Sequence, residues 1–305
     1  MSALLGIDFG GTAVKLGLVT REGAVLARTT VPFDPARRFE EMATAVCEAG
    51  ARLGGGRKPE AVGLATPGYA DPVTGVLIDG TNNVPALRGQ ALPAFVTRHL
   101  GVPAFIDNDG TCATLGELLF GAGRPFARFA LITIGTGIGG GVVIERRVVT
   151  GTNGMPPEIG ALCLNPDGPG NYSGIRGTLE RLASAPAFVE RYENERGHRD
   201  AVSAADVFRL AAQGDRAAEA AVDGVARILA QAFGIMINLL NLEACIIGGG
   251  VSAAGGPLLE SVRRHLTFFT WPALHRNVHV LLAQHGNDAG VIGAAAMAAS
   301  RIGSS

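Results

Sequence analysis

Aromatic side chains are scarce in this chain, 6% of 305 residues with a single tryptophan, so a binding surface lined by aromatic rings is not expected. Nor is there a surplus of positive charge. The 26 Lys and Arg against 27 Asp and Glu leave a net charge of −1, which cannot neutralise a phosphate backbone, and no nucleic-acid partner is expected. No long uninterrupted apolar run exists either: residues 232–247 are broken by Asn238, Asn241 and Glu243, each costly in hydrocarbon. The N-terminus lacks a basic region followed by an apolar run. No membrane association is expected, and the compartment read from these features is cytoplasmic. The four cysteines, at 47, 112, 163 and 245, include no C-x-x-C pair, in keeping with a reducing compartment. The six histidines give no ground for a metal site.

What is plentiful is glycine, 44 residues, within a chain that is 47% hydrophobic. Such a chain can bury two cores, and its glycines allow tight turns and close approach of backbone to ligand. The opening predicts three strands, 4–9, 13–19 and 24–31, joined by the turns Gly10-Gly11-Thr12 and Arg21-Glu22-Gly23, an antiparallel meander. The same strand, Gly/Thr turn, strand pattern returns over 129–150, an internal duplication. Between the two, helix 39–53, strand 61–65, helix 92–100, strand 104–106 and helix 111–120 alternate, which implies parallel strands covered by helices. Beyond the second meander an irregular segment spans 151–177, and helices dominate 203–241, with Val222, Val225, Leu229, Phe233, Met236 and Leu240 at helical spacing. Strand 244–247, helix 257–266, strand 278–283 and helix 289–301 close the chain. The fold class expected is α/β, with two duplicated α/β lobes facing a cleft: a small lobe over 1–117, onto which the C-terminal segment 289–305 packs back, and a large lobe over 118–288.

Three glycine turns carry the chemistry. In Asp8-Phe9-Gly10-Gly11-Thr12-Ala13-Val14-Lys15 the glycines turn backbone N–H groups toward an anion, Thr12 offers a hydroxyl donor, and Asp8 can hold a hydrated Mg²⁺. Gly135-Thr136-Gly137 is the matching turn of the second meander, and two such turns can grip a triphosphate from both sides. Gly248-Gly249-Gly250 follows a buried strand, where a base or ribose can pass close to backbone. Taken singly, each is equally well read as an ordinary turn.

In combination and order these turns resemble the actin, Hsp70 and hexokinase superfamily, and the details resemble its ROK branch (repressor, open reading frame, kinase). The matching stretches are Gly6-Ile7-Asp8-Phe9-Gly10-Gly11-Thr12, Thr66-Pro67-Gly68, Asn108-Asp109, Leu115-Gly116-Glu117, Gly135 to Gly141, Glu158-Ile159-Gly160 and Ile246 to Val251. The resemblance implies an actin-like ATPase (ribonuclease H-like) fold with an interlobe active-site cleft. It also implies ATP with Mg²⁺, a homodimer, and phosphorylation of a hexose or amino-hexose hydroxyl, the 6-hydroxyl above all. The Asp of the family's Asn-Asp pair takes the hydroxyl proton, which maps to Asp109. A carboxylate at a strand end that opens a helix suits that task; the plain alternative is a solvated helix cap. Sugar hydroxyls map to Asn83 (or Asn82), Asn108, Asp109, Glu158 and Glu180. Lys15 and the glycines of the three turns map to the nucleotide.

One departure stands out. The family's structural zinc is held by a His and three Cys, and those places here are Ala161, Asn171, Ser173 and Thr178. None is a good zinc ligand, so no zinc is expected. The family His also touches the sugar, and Ala161 opens space there. A repressor of the same family needs a helix-turn-helix ahead of the first strand, expected here at about Leu4. A non-catalytic sugar-binding sensor or regulator is the alternative to the kinase, opposed by the presence of Asp8, Asp109 and all three turns.

Overall fold

The computed structural model describes residues 3–34, 37–81, 84–199 and 202–303. It divides into two compact units, one of residues 1–124, 148–157 and 287–305, the other of residues 125–147 and 158–286.

The first unit contains β1 (Leu4–Phe9), β2 (Ala13–Val19), β3 (Val25–Pro32), α1 (Phe39–Leu53), β4 (Val62–Thr66), β5 (Tyr69–Ala70), β6 (Leu77–Asp79), α2 (Leu92–Leu100), β7 (Ala104–Asn108) and α3 (Asp109–Phe120). Its main sheet runs β3-β2-β1-β4-β7. β1 and β2 are antiparallel, with Asp8 opposite Lys15; β4 is parallel to β1 and to β7. β5 and β6 form a small separate hairpin, which the sequence pattern did not suggest.

The second unit repeats the plan. β8 (Phe129–Ile134), β9 (Ile138–Ile144) and β10 (Arg147–Val148) are followed by α4 (Leu179–Ala183), α5 (Ala185–Arg196), α6 (Ala204–Ala212), α7 (Arg216–Leu240), β11 (Ala244–Gly248), α8 (Gly256–Leu266), α9 (Pro272–His275) and β12 (His279–Leu282). The strand order β10-β9-β8-β11-β12 matches that of the first sheet, and β8, β11 and β12 are parallel. The chain ends in α10 (Ala289–Ile302), within the first unit.

α7 is long and apolar enough to cross a membrane by length and composition, but it is a core helix. Val222, Val225, Leu229, Phe233 and Met236 are buried where α5, α6 and α8 pack on it; Leu240, expected on the same stripe, is half-buried in the last turn.

Side-chain alternation explains how the first sheet is covered. Leu5, Ile7 and Phe9 of β1 and Val62 and Leu64 of β4 join the core formed with α1 and α2. The residues between them, Leu4, Gly6 and Asp8 on β1 and Gly63 and Ala65 on β4, face the opposite side, where α10 lies. There the glycines let helix and sheet touch backbone to backbone. A Cβ on Gly6 would stand 2.0 Å from Val291 O, and one on Gly63 would stand 1.8 Å from Ala294 O. α10 meets α3 just as closely, since a Cβ on Gly293 would fall 1.7 Å from Cys112 O.

Candidate active site

The end of β7 and the start of α3 form the most tightly specified corner of the first unit. Asn108 caps α3: its Oδ1 accepts from Thr111 N (3.1 Å) and its Nδ2 donates to Gly68 O (2.9 Å). Its own N–H donates to Asp107 Oδ1 (2.8 Å). This cap starts the helix at Asp109, two residues before the position read from the sequence. Asp109 is therefore not the cap. It is the first helical residue, half-buried, with Oδ1 accepting from Gly110 N (2.7 Å) and the positive end of the helix dipole beneath its charge. Neighbouring Asp107 is held differently: burial raises its pKa, against the Asn108 hydrogen bond and the charge of Arg301.

At the end of β1 the turn is closed by Gly10 N donating to Ala13 O (3.0 Å), and Gly11 and Thr12 are exposed. Burial raises the Asp8 pKa, opposed by the charge of Lys15. The Asp8 carboxylate also lies against α10, because a Cβ on Gly290 would stand 2.7 Å from its Oδ2. Lys15 Nζ donates to Asn287 O (3.3 Å), tying the turn's far strand to the approach of the same helix. Gly290 is a residue the sequence reading missed; its one signal is a glycine in the first turn of an alanine-rich helix.

In the second unit, Gly135 N donates to Gly137 O (2.9 Å) and Gly135 O accepts from Ala185 N (2.8 Å). The third turn abuts the second: Gly249 adopts φ +80, and a Cβ there would stand 2.4 Å from Ile134 O. Only glycine fits both requirements. Gly248 ends β11 opposite Thr133, and Gly250 opens a short 3-10 turn held by Ser252 Oγ donating to Gly249 O (2.7 Å). Thr136 lies between the two bonded glycines. Glu180, on the first turn of α4, accepts from Ile138 N through Oε2 (3.0 Å). Glu158 is exposed as a residue, yet burial around its carboxyl, and next the charge of Glu180, raise its pKa. Asn82 and Asn83 lie outside the described residues.

Glu117 was named only as part of a motif. It is fully buried and its Oε2 accepts from Ala122 N (2.7 Å), closing the C-terminal end of α3. Gly116 beside it faces α10, where a Cβ would meet Ala289 O at 3.1 Å. That motif is explained by packing.

The segment for which the resemblance implied a zinc clip is built here from backbone bonds. Gly177 O accepts from Leu164 N (2.8 Å), Gly177 N donates to Pro169 O (2.8 Å), and Asn171 N donates to Ile175 O (2.9 Å). Asn171 Oδ1 takes the N–H groups of Ser173 and Ile175, and Thr178 Oγ1 caps α4 by accepting from Arg181 N. Two of the four positions thus have their oxygens engaged, and Ala161 has no donor atom; the set does not fit a zinc ion. His275 and His279 stand four residues apart, but the first ends α9 and the second opens β12, so they do not share a helix face. Among the described residues no group of three or more His, Cys, Asp or Glu could hold a metal.

Two α/β units with one strand order and glycine turns beside their central strands define an actin-like ATPase fold. Comparison with known proteins carries this further. Residues 4–301 match the ROK family. The chain is 33% identical to a glucokinase of Thermotoga maritima over 98% of both proteins. It superposes with a TM-score of 0.86, at 29% identity, on a ROK family glucokinase from Streptomyces griseus in complex with glucose and AMPPNP, covering 98% of this chain and 100% of that one. A ROK hexokinase from Thermus thermophilus matches with a TM-score of 0.81 and 30% identity, over 99% and 100% of the two chains. The chain belongs to the ROK family.

Proposed function

We propose that Asp109 is the general base with which this chain, an ATP-dependent sugar kinase, phosphorylates the 6-hydroxyl of a hexose or amino-hexose. The observation that carries the reading is the cap at Asn108. Three hydrogen bonds fix that residue between Asp107, Gly68 and Thr111, and so hold Asp109 at the N-terminus of α3. There the helix favours the ionised carboxylate that a general base needs.

In the reaction the sugar hydroxyl gives its proton to Asp109 as its oxygen bonds to the γ-phosphorus of ATP. The bond from that phosphorus to the β,γ-bridging oxygen breaks, and ADP leaves. Little covalent help is required, so catalysis rests on alignment and on spreading charge. Gly10, Gly11, Thr12, Lys15, Gly135, Thr136 and Gly137 are assigned to the phosphates; Gly248, Gly249 and Gly250 are assigned to the adenosine. Asn108, Glu158 and Glu180, together with Asn83, are assigned to the sugar, since amide and carboxylate oxygens accept from vicinal hydroxyls. Asp8, half-buried near the end of β1 beside the first glycine turn, offers the carboxylate that would hold a hydrated Mg²⁺. Held there with ATP, such an ion would neutralise charge on the phosphate oxygens. The enzyme is read as zinc-free, cytoplasmic and homodimeric.

The test is ADP release over a panel of glucose, mannose, fructose, allose, N-acetylglucosamine, N-acetylmannosamine and kanosamine, with Asp109→Asn alongside. Turnover of one sugar, reduced about 10²-fold or more in the variant while ATP binding persists, upholds the reading. No turnover of any sugar, with variant and parent alike, leaves a sugar-binding regulator as the function.

A further inference from the structure

The second glycine turn already holds an anion, one supplied by the protein. Ile138 N donates to Glu180 Oε2 (3.0 Å), and a Cβ on Gly137 would stand 2.5 Å from that same oxygen. The carboxylate therefore rests against the turn backbone at Gly137 and Ile138. The element behind it is firmly set. Thr178 caps α4, and Ala185, which opens the next helix, donates its N–H to Gly135 O (2.8 Å). Residues 178–185 thus grip the turn at both ends, at Gly135 and at Ile138. The segment carrying Glu158 presses on the same place, because a Cβ on Gly160 would lie 2.6 Å from Ile138 O.

We infer that Glu180 positions the phosphate-facing turn 135–138 as well as binding sugar, so that sugar occupancy and nucleotide affinity are coupled through this one carboxylate. The inference rests on the kinase assignment above. A carboxylate has about four acceptor positions, so a sugar hydroxyl can donate to Glu180 while Oε2 keeps the Ile138 N–H. Without sugar, two carboxylates, Glu158 and Glu180, stand near enough to repel. A hydroxyl donor bound there offsets the repulsion and fixes Glu180, and with it the turn. By linkage the nucleotide must favour the sugar to the same degree.

Calorimetric binding of AMPPNP with Mg²⁺ to the full chain tests this, with and without the panel sugar of highest turnover. In the parent protein, saturating sugar should tighten AMPPNP by about fivefold or more. Glu180→Ala should lose that enhancement and weaken AMPPNP on the order of tenfold even without sugar, as expected for a lost charge-assisted hydrogen bond. Glu180→Gln, whose amide oxygen still accepts from Ile138, should keep the sugar-free affinity within about threefold. Glu180→Asp keeps the charge but is one methylene short, and should behave as the alanine variant does; it decides the matter if the alanine variant does not fold. The inference is overturned if Glu180→Ala and Glu180→Asp bind AMPPNP as the parent does while sugar KM rises, or if sugar leaves parent affinity unchanged. Failure of the parent both to bind AMPPNP and to phosphorylate any sugar removes the kinase assignment itself, and this inference with it.

Discussion

Gly63→Ala, a change of one methyl group at a residue assigned to no ligand, should damage both stability and turnover. Gly63 lies on β4, and the added Cβ would stand 1.8 Å from Ala294 O and 2.3 Å from Ala294 C. Backbone cannot rotate aside as a side chain can. A real Cβ rarely comes nearer a heavy atom than 3.0 Å, so α10 must move off the sheet by about 1.2 Å. Overpacking of a close-packed interior costs roughly 1–3 kcal/mol. The same helix bears Gly290 against Asp8 and Gly293 against Cys112 of α3, and α3 begins with the proposed base. A misplacement of about 1 Å at a reacting group can cost roughly 10²-fold. Gly63→Ala should therefore lower kcat by about that factor and reduce unfolding free energy in urea by at least about 1 kcal/mol. Gly256→Ala is the control: it opens α8, has nothing within 4 Å of its would-be Cβ, and should stay within about 0.5 kcal/mol of the parent. Parent-like stability and kcat in Gly63→Ala would refute the account of how α10 positions the site.

Two further outcomes concern pH. Burial and the charge of Glu180 raise the Glu158 pKa above its ordinary 4.5, so the acid limb of kcat/KM should fall at higher pH than an ordinary glutamate would give; Glu158→Gln should remove that limb while raising sugar KM. Asp223 tests the second unit. Partial burial raises its pKa, but hydrogen bonds with Ser261, His265 and Arg264 outweigh this and the net shift is downward. The unfolded chain therefore takes up the proton first, and the stabilisation is full above the ordinary value of 3.8 and lost as pH falls below it. Asp223→Asn should cost about 1 kcal/mol at pH 7, allowing for solvent screening. Its urea curve should converge on the parent's in acid; a difference that persists unchanged at pH 2 to 3 would contradict this.

The strands and helices that were legible in the sequence are those whose signal is local. Helix 92–100 shows Pro93 just inside its start and Gly101 at its end, and the structure uses both, with Gly101 at φ +67. The two meanders were visible because strand, glycine turn and strand repeat within 30 residues. The hairpin β5–β6 was not, because strands of two and three residues carry no period. α3 starts two residues earlier than the sequence pattern suggested, because Asn108 caps it through Thr111 N and is itself tied to Gly68 O, 40 residues away; that tertiary bond has no local sequence signal.

The same limit governs the site. Asp8, Asp109 and the three turns announce themselves by residue type at an element's end. The residues that fix their positions do not. Gly6, Gly63, Gly116, Gly290 and Gly293 are scattered over nearly 290 residues, and any one of them reads as a weak point in a strand or helix. They make sense only when α10, which carries Gly290 and Gly293, returns to the first unit and meets Gly6, Gly63 and Gly116. Each glycine gives up a side chain's worth of burial, four of them so that backbone can touch backbone and Gly290 so that the Asp8 carboxylate can lie against the helix. That close contact sets the depth at which Asp8 lies against α10, and α3 is set through the same helix. Precision at the base is thus bought by residues with no side chain, over sequence separations that no local pattern spans.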